Sequence, residues 1–128
     1  MGKKIIKQSD NTDTAAELLK VAVEAMHEKK AQNVISLNLS KLKNSICKYF
    51  IICNADSHTQ VSAISDNIED KVLENLNEKV WRRNGIENAF WIILDYGDVV
   101  IHIFQTEQRN FYRLEELWAD AELIQYTE

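Results

Sequence analysis

Two carboxylates separated by two residues, Asp95 and Asp98, are the most pointed arrangement of chemical groups in the 128-residue sequence. Such a pair can bind a divalent metal or act as acid and base. Both uses need further oxygen ligands or a matched partner at a fixed spacing, and the sequence offers none. Two alternatives remain: the carboxylates cap a turn by accepting backbone N–H groups, or they lie on an exposed tip that faces a basic partner. We rank metal binding and catalysis below both.

The remaining reactive side chains indicate structure rather than catalysis. His102 lies in an apolar segment, where a lone histidine is more often hydrogen-bonded and structural than a ligand or a base. Cys47 and Cys53 are most simply reduced and buried, because six extended residues would separate them by roughly 20 Å, too far for a disulfide. No Cys/His spacing resembles a zinc site, and no glycine-rich phosphate-binding loop is present. We therefore expect no enzyme, no metal and no cofactor.

Aromatic and acidic residues are concentrated in the last third of the chain, between Trp91 and Asp120. This combination suits an interface with a basic protein surface. The alternative is that the aromatic residues form the core, and we expect this of several of them, with Tyr96 and Tyr112 exposed.

The net charge of −5 is unevenly divided along the chain. Residues 1–50 carry nine lysines against five acids, whereas residues 51–128 carry six bases against fifteen acids. An acidic second half is a poor partner for a phosphate backbone and a good one for a basic protein. On composition alone, acids that keep a small domain soluble are the simpler explanation.

A single α/β domain would position these residues. The chain is 45% hydrophobic and 27% charged, as is usual for a globular protein, and no apolar run of about 18 residues predicts a membrane span. The first residues lack the long apolar segment of a secretory signal, so we expect a cytoplasmic protein.

Capping boxes at Thr14 and Ser57 predict two helices, and the apolar spacing of residues 109–121 predicts a third. A glycine between two apolar runs predicts a hairpin at Tyr96-Gly97. Together with strands near residues 34–39, 49–53 and 79–83, these elements predict a mixed sheet of about five strands packed with helices. We divide the chain into a flexible N-terminus (1–11), one domain (12–122) and a tail (123–128).

Three segments resemble the ribosomal silencing factor (Iojap) family. Trp91–Phe104, WIILDYGDVVIHIF, resembles its central signature, and Glu107–Ala121, EQRNFYRLEELWADA, resembles its closing segment. Tyr49–Cys53 resembles its second strand, and the match covers most of residues 13–121. The turn before the second helix departs from the family, which often carries Thr-Gly and Arg-His where this chain has Asn54-Ala55 and Thr59-Gln60. We carry over no role for that turn.

The resemblance implies a nucleotidyltransferase-like fold without the Gly-Ser and paired strand acids of those enzymes. It also implies binding to the large ribosomal subunit through its ribosomal protein fourteen, which blocks subunit joining and represses translation. We expect no membrane partner, and a homodimer of the free chain. The alternatives are a large-subunit assembly factor and a metal-dependent nucleotidyltransferase-like enzyme. The residues expected to contact the partner are Trp91, Asp95, Tyr96, Asp98, His102, Glu107, Tyr112 and Glu115.

Overall fold

The computed structural model describes residues 10–127, with side chains from residue 14 onward. The predicted flexible segment 1–11 lies outside the described residues, except for the first two residues of helix α1. The elements in chain order are α1 (Asp10–Glu28), β1 (Gln32–Asn38), β2 (Tyr49–Ala55), α2 (His58–Leu76), β3 (Arg82–Asn84), β4 (Trp91–Asp95), β5 (Val99–Gln105), α3 (Thr106–Tyr112), α4 (Leu114–Leu117) and β6 (Glu122–Tyr126).

One mixed sheet forms the centre of the domain, with strand order β3-β4-β5-β2-β1-β6. Strands β2 and β5 are parallel, and the other neighbours are antiparallel. The prediction of an α/β domain with a mixed sheet is therefore confirmed, as is the hairpin between β4 and β5. The sheet has six strands rather than about five.

The additional strand, β6, lies in the segment predicted as a tail. It pairs antiparallel with β1, from Val34 opposite Tyr126 to Asn38 opposite Glu122. The Tyr126 hydroxyl lies 2.9 Å from Ser36 Oγ, within hydrogen-bonding distance. The prediction of a tail was wrong because β6 is an edge strand whose side chains are mostly exposed, so it lacks the apolar run that marks an interior strand.

Helices α1 and α2 cover one face of the sheet. Helix α2 begins at the predicted capping box, where Ser57 Oγ accepts the Gln60 N–H at 3.1 Å. It ends at Asn77, which adopts the left-handed conformation at φ 55° and donates its N–H to the Leu73 carbonyl. The α2 stripe that packs on the sheet consists of Val61, Ile64, Ile68 and Val72.

The opposite face, which we call the aromatic face, is covered by a loop (residues 39–48), by α3 and α4, and by residues 118–121. Its buried residues include Phe50 and Phe104, and the Trp118 ring lies edge-on against Phe50 with centroids 5.7 Å apart. The single helix predicted over 109–121 is wrong, because Arg113 adopts φ 48° and separates two short helices. Phe111, in α3, faces solvent instead of the core, and its side chain is 78% exposed.

Candidate partner-binding surface

Three of the predicted contact residues form one cluster on the aromatic face. The Trp91 indole N–H donates to His102 Nδ1 at 3.1 Å, and the indole stacks on Phe104 with centroids 4.7 Å apart. The Tyr112 ring lies over Trp91 at 5.0 Å and is 50% exposed. Tyr112 is therefore the solvent-facing member of a cluster whose inner members are fixed by stacking and one hydrogen bond.

His102 supports this cluster from below. Because Nδ1 accepts the Trp91 N–H, the ring proton of the neutral imidazole resides on Nε2. Burial lowers the pKa of His102 to about 4, so the ring is neutral near pH 7. Nε2 has no hydrogen-bond partner among the described residues, and the residue is only 5% exposed. We assign His102 to orienting Trp91, as a structural histidine, rather than to direct contact.

The two hairpin carboxylates have different environments. Asp95 Oδ1 accepts the Gly97 N–H at 2.8 Å, and its Oδ2 lies 3.7 Å from the Arg82 guanidinium. Asp95 thus caps the turn, as one alternative from the sequence proposed. The Asp98 side chain is 64% exposed and lies 3.9 Å from Lys48 Nζ, so it occupies the exposed tip of the other alternative.

Tyr96 does not join this surface. The prediction that it is exposed was wrong, since it is 5% exposed and packs into the core beneath α1 and α2. Side chains alternate along a strand, so Asp95 and Tyr96 point to opposite faces of the sheet. Burial and the nearby Glu69 and Glu78 carboxylates raise the pKa of Tyr96, so its hydroxyl stays protonated.

The two glutamates of the predicted set lie in the short helices. Glu107 is exposed in the first turn of α3. Glu115, in α4, is partly buried, and its Oε2 lies 3.2 Å from Arg109 Nη2. Arg109 itself is 8% exposed. Its burial was not predicted, because no sequence pattern distinguishes a buried arginine from an exposed one on a short helix.

Three large apolar side chains of the segments that cover the aromatic face were also missed. Phe111 is 78% exposed, Leu117 is 75% exposed and Ile46 is 73% exposed. Exposed apolar groups around an aromatic cluster are typical of protein-binding surfaces. The sequence predicts one continuous helix that includes Phe111 and Leu117, and no sequence pattern marks them or Ile46 as exposed.

Reactive chemistry is not evident in the described part of the chain. Among its side chains, no three of the types His, Cys, Asp and Glu lie where they could hold a metal ion together. Burial raises the pKa of Cys47 to about 11 and that of Cys53 to about 12, so both thiols stay protonated at neutral pH. None of the helices in residues 10–127 is long and apolar enough to cross a membrane.

The family model described as "Ribosomal silencing factor during starvation" matches residues 12–128. The chain belongs to the ribosomal silencing factor family. A relative named ribosomal silencing factor RsfS, from Halalkalibacterium halodurans, is 39% identical over 109 residues, which are 85% of this chain and 92% of the relative. The maize "Protein Iojap, chloroplastic" is 39% identical over 116 residues, 88% of this chain and 50% of its own.

A crystal structure from the family's structural neighbours supports the same assignment. A Chromobacterium violaceum protein superposes with a TM-score of 0.76 at 33% identity, over 81% of this chain and 85% of that one. The predicted resemblance to ribosomal silencing factors is therefore confirmed, and membership supports a role in ribosome silencing.

Proposed function

We propose that this ribosomal silencing factor binds ribosomal protein fourteen of the large subunit, blocks joining of the small subunit and represses translation in the cytoplasm. The observation that carries the proposal is the exposed patch around Tyr112, which combines aromatic side chains with nearby carboxylates in a chain of this family. Trp91 supports the patch from below, and the exposed Asp98 lies at the tip of the β4–β5 hairpin, at the other end of β4 from Trp91.

The patch has the two components that a protein interface requires. Phe111, Tyr112 and Leu117 offer apolar area whose burial favours a long-lived complex. Exposed carboxylates such as Asp98 and Glu107 favour encounter with a basic surface. The ion pair of Asp98 with Lys48 is exposed and 3.9 Å long, so a partner's cation can replace it at little cost.

Two variants test the surface. Tyr112→Ala removes the outer aromatic ring, and Asp98→Lys reverses the exposed charge without removing the turn cap at Asp95. Glu74→Lys is the matched control, because Glu74 is 70% exposed on α2, on the opposite side of the sheet. We expect each test variant to weaken co-sedimentation with isolated large subunits about tenfold or more, since interface anchors contribute about 2 kcal/mol. The control should bind like the wild type.

The same preparation separates the alternatives. Reduced subunit joining in the presence of the wild-type chain supports silencing, whereas binding without an effect on joining indicates an assembly factor. Absence of binding to large subunits at low and moderate salt rejects the proposal. The homodimer of the free chain stays a prediction, which sedimentation of the chain at several concentrations measures.

A further inference from the structure

Helices α3 and α4 carry Tyr112 and Glu115, yet they cannot hold themselves in place. They have seven and four residues, and helices shorter than about 12 residues are marginal in water without tertiary contacts. Arg113, at φ 48°, interrupts the backbone between them. The position of the segment therefore depends on what anchors it to the sheet.

The strongest polar anchor is Arg109, which bridges three segments. Its Nη1 donates to the Asn33 carbonyl and, at 2.9 Å, to Asn54 Oδ1, while Nη2 lies 3.2 Å from Glu115 Oε2. Asn33 adopts φ 52° within an irregularity of the β1–β2 pairing, which turns its carbonyl toward the guanidinium. Arg109, which is itself 8% exposed, thus ties β1, β2 and α4 to α3.

A ring of side chains fixes the acceptor that Arg109 uses. Asn54 Nδ2 donates to Thr106 Oγ1 at 2.8 Å, and Thr106 Oγ1 donates to Asp56 Oδ1 at 2.7 Å. Gln32 closes the ring, since its Nε2 donates to Asp56 Oδ2 and its Oε1 accepts from Asn54 Nδ2. With Nδ2 held in this way, Asn54 Oδ1 points at the guanidinium. Hydrogen bonds from Thr106 and Gln32 also lower the pKa of Asp56, which keeps the ring's final acceptor charged.

We propose that Arg109 is a positioning residue for partner binding: it holds α3 and α4, and with them Tyr112 and Glu115, in the arrangement that the partner recognises. The inference rests on the proposed function. It follows because a buried guanidinium with three acceptors orders a segment that its own helical hydrogen bonds cannot order. A surface that is ordered before binding loses less conformational entropy when the complex forms. Removing the order that Arg109 provides should therefore accelerate dissociation.

The test compares Arg109→Met and Arg109→Lys with Arg113→Met. Arg113 is the matched control, because it lies on the same segment, is 67% exposed and pairs with Glu116 three residues away. Dissociation from isolated large subunits is measured beside hydrogen exchange of residues 106–126 and of α2. We expect Arg109→Met to raise the dissociation rate about tenfold or more and to accelerate exchange in 106–126 but not in α2. Arg113→Met should leave both unchanged.

The outcomes distinguish this inference from the function on which it rests. Failure of the wild type to bind overturns both. A folded Arg109→Met with a wild-type dissociation rate, or with exchange accelerated equally in α2, overturns the positioning role and leaves the proposed function intact. If Arg109→Met does not fold, Arg109→Lys decides, since lysine keeps the charge but lacks the planar fork for three acceptors. Wild-type dissociation of that variant also overturns the role.

Discussion

Burial keeps His102 neutral at the centre of the aromatic face, and one hydrogen bond fixes which of its ring nitrogens carries the proton. Trp91 donates to His102 Nδ1, and an imidazolium could not accept this hydrogen bond because both of its nitrogens carry protons. Protonation of His102 would therefore break the bond and place a charge among aromatic rings. Neutral His102 is thus part of the fold, although its ordinary pKa lies close to physiological pH.

The pH dependence of stability tests this role. The pKa of His102 falls from 6.5 in the unfolded chain to about 4 in the fold because of burial. The unfolded state therefore binds the proton more readily, so the His102 contribution is complete above about pH 6.5 and is lost as the pH falls toward about 4. Urea unfolding of the wild type and of His102→Asn, between about pH 7 and about pH 4.5, should show a shallower pH dependence in the variant, by up to about 1.4 kcal/mol per unit. Equal slopes would contradict the assignment.

Side-chain alternation explains where the structure places three of the predicted contact residues. Trp91 and Asp95 are four residues apart and face the same side of the sheet, whereas Tyr96, the next residue, faces the other side. Its apolar ring packs under α2, so the position that looked like an exposed tip is core. The burial of Arg109 could not be predicted, since its three acceptors come from segments up to 76 residues away in sequence.

At the scale of elements, two glycines in the β3–β4–β5 region differ in how well the surrounding structure could accommodate a side chain in their place. An added Cβ at Gly85 would lie 2.0 Å from the Trp91 carbonyl oxygen, which is backbone. At Gly97 it would lie 3.0 Å from the Trp81 ring, which is 74% exposed and free to move. Both glycines have positive φ, at 78° and 88°.

We expect Gly85→Ala to destabilise the domain far more than Gly97→Ala. The positive φ alone should cost about 1 kcal/mol in each variant, and displacement of strand backbone should raise the cost at Gly85 to about 3 kcal/mol or more. Urea unfolding of the two variants measures the difference. Similar unfolding free energies for the two variants would contradict this prediction, because they would show that the β4 backbone can shift away from the added methyl group without loss of stability.

Strand β6 is attached to the sheet by a contact that can be measured separately. Ser36 is 3% exposed, and its hydroxyl lies within hydrogen-bonding distance of the Tyr126 hydroxyl. Tyr126→Phe leaves that serine without this partner, so we expect a loss of about 1–2 kcal/mol in unfolding free energy. The double variant with Ser36→Ala should recover part of the loss, and strictly additive losses would contradict the pairing.

The elements that the sequence predicted well have strong local signals. The buried stripe and capping serine of α2 are examples. Strand β6 and the break at Arg113 have none: β6 is specified by pairing with β1, and the left-handed residue that ends α3 is an arginine instead of a glycine. Both features result from tertiary contacts, which override local propensity.

At the scale of the whole molecule, most of the acids of residues 51–127 lie in two regions. One is the outer side of α2, and the other is the hairpin tip, α3 and α4 around the aromatic face. Among the described residues, the lysine-rich first half contributes one ion pair to this surface, that of Lys48 with Asp98. For the basic partner proposed above, attraction to this surface is therefore stronger than the paired tip alone suggests, because the fields of the acids that share the surface add.

This charge distribution makes a kinetic prediction for binding to isolated large subunits. Raising the salt concentration from about 0.05 M to about 0.5 M should slow association about tenfold or more, because screening shortens the range of attraction, while dissociation should change much less. Stopped-flow or surface-based measurement at several salt concentrations gives the salt dependence of the association rate and of the dissociation rate. Asp98→Lys should reduce the salt dependence of association, and the wild-type dissociation rate should depend mainly on the apolar contacts of Tyr112. The opposite result would be a dissociation rate that depends on salt and an association rate that does not. It would show that the carboxylates form short-range ion pairs within the complex, and that long-range attraction does not bring this chain to its partner.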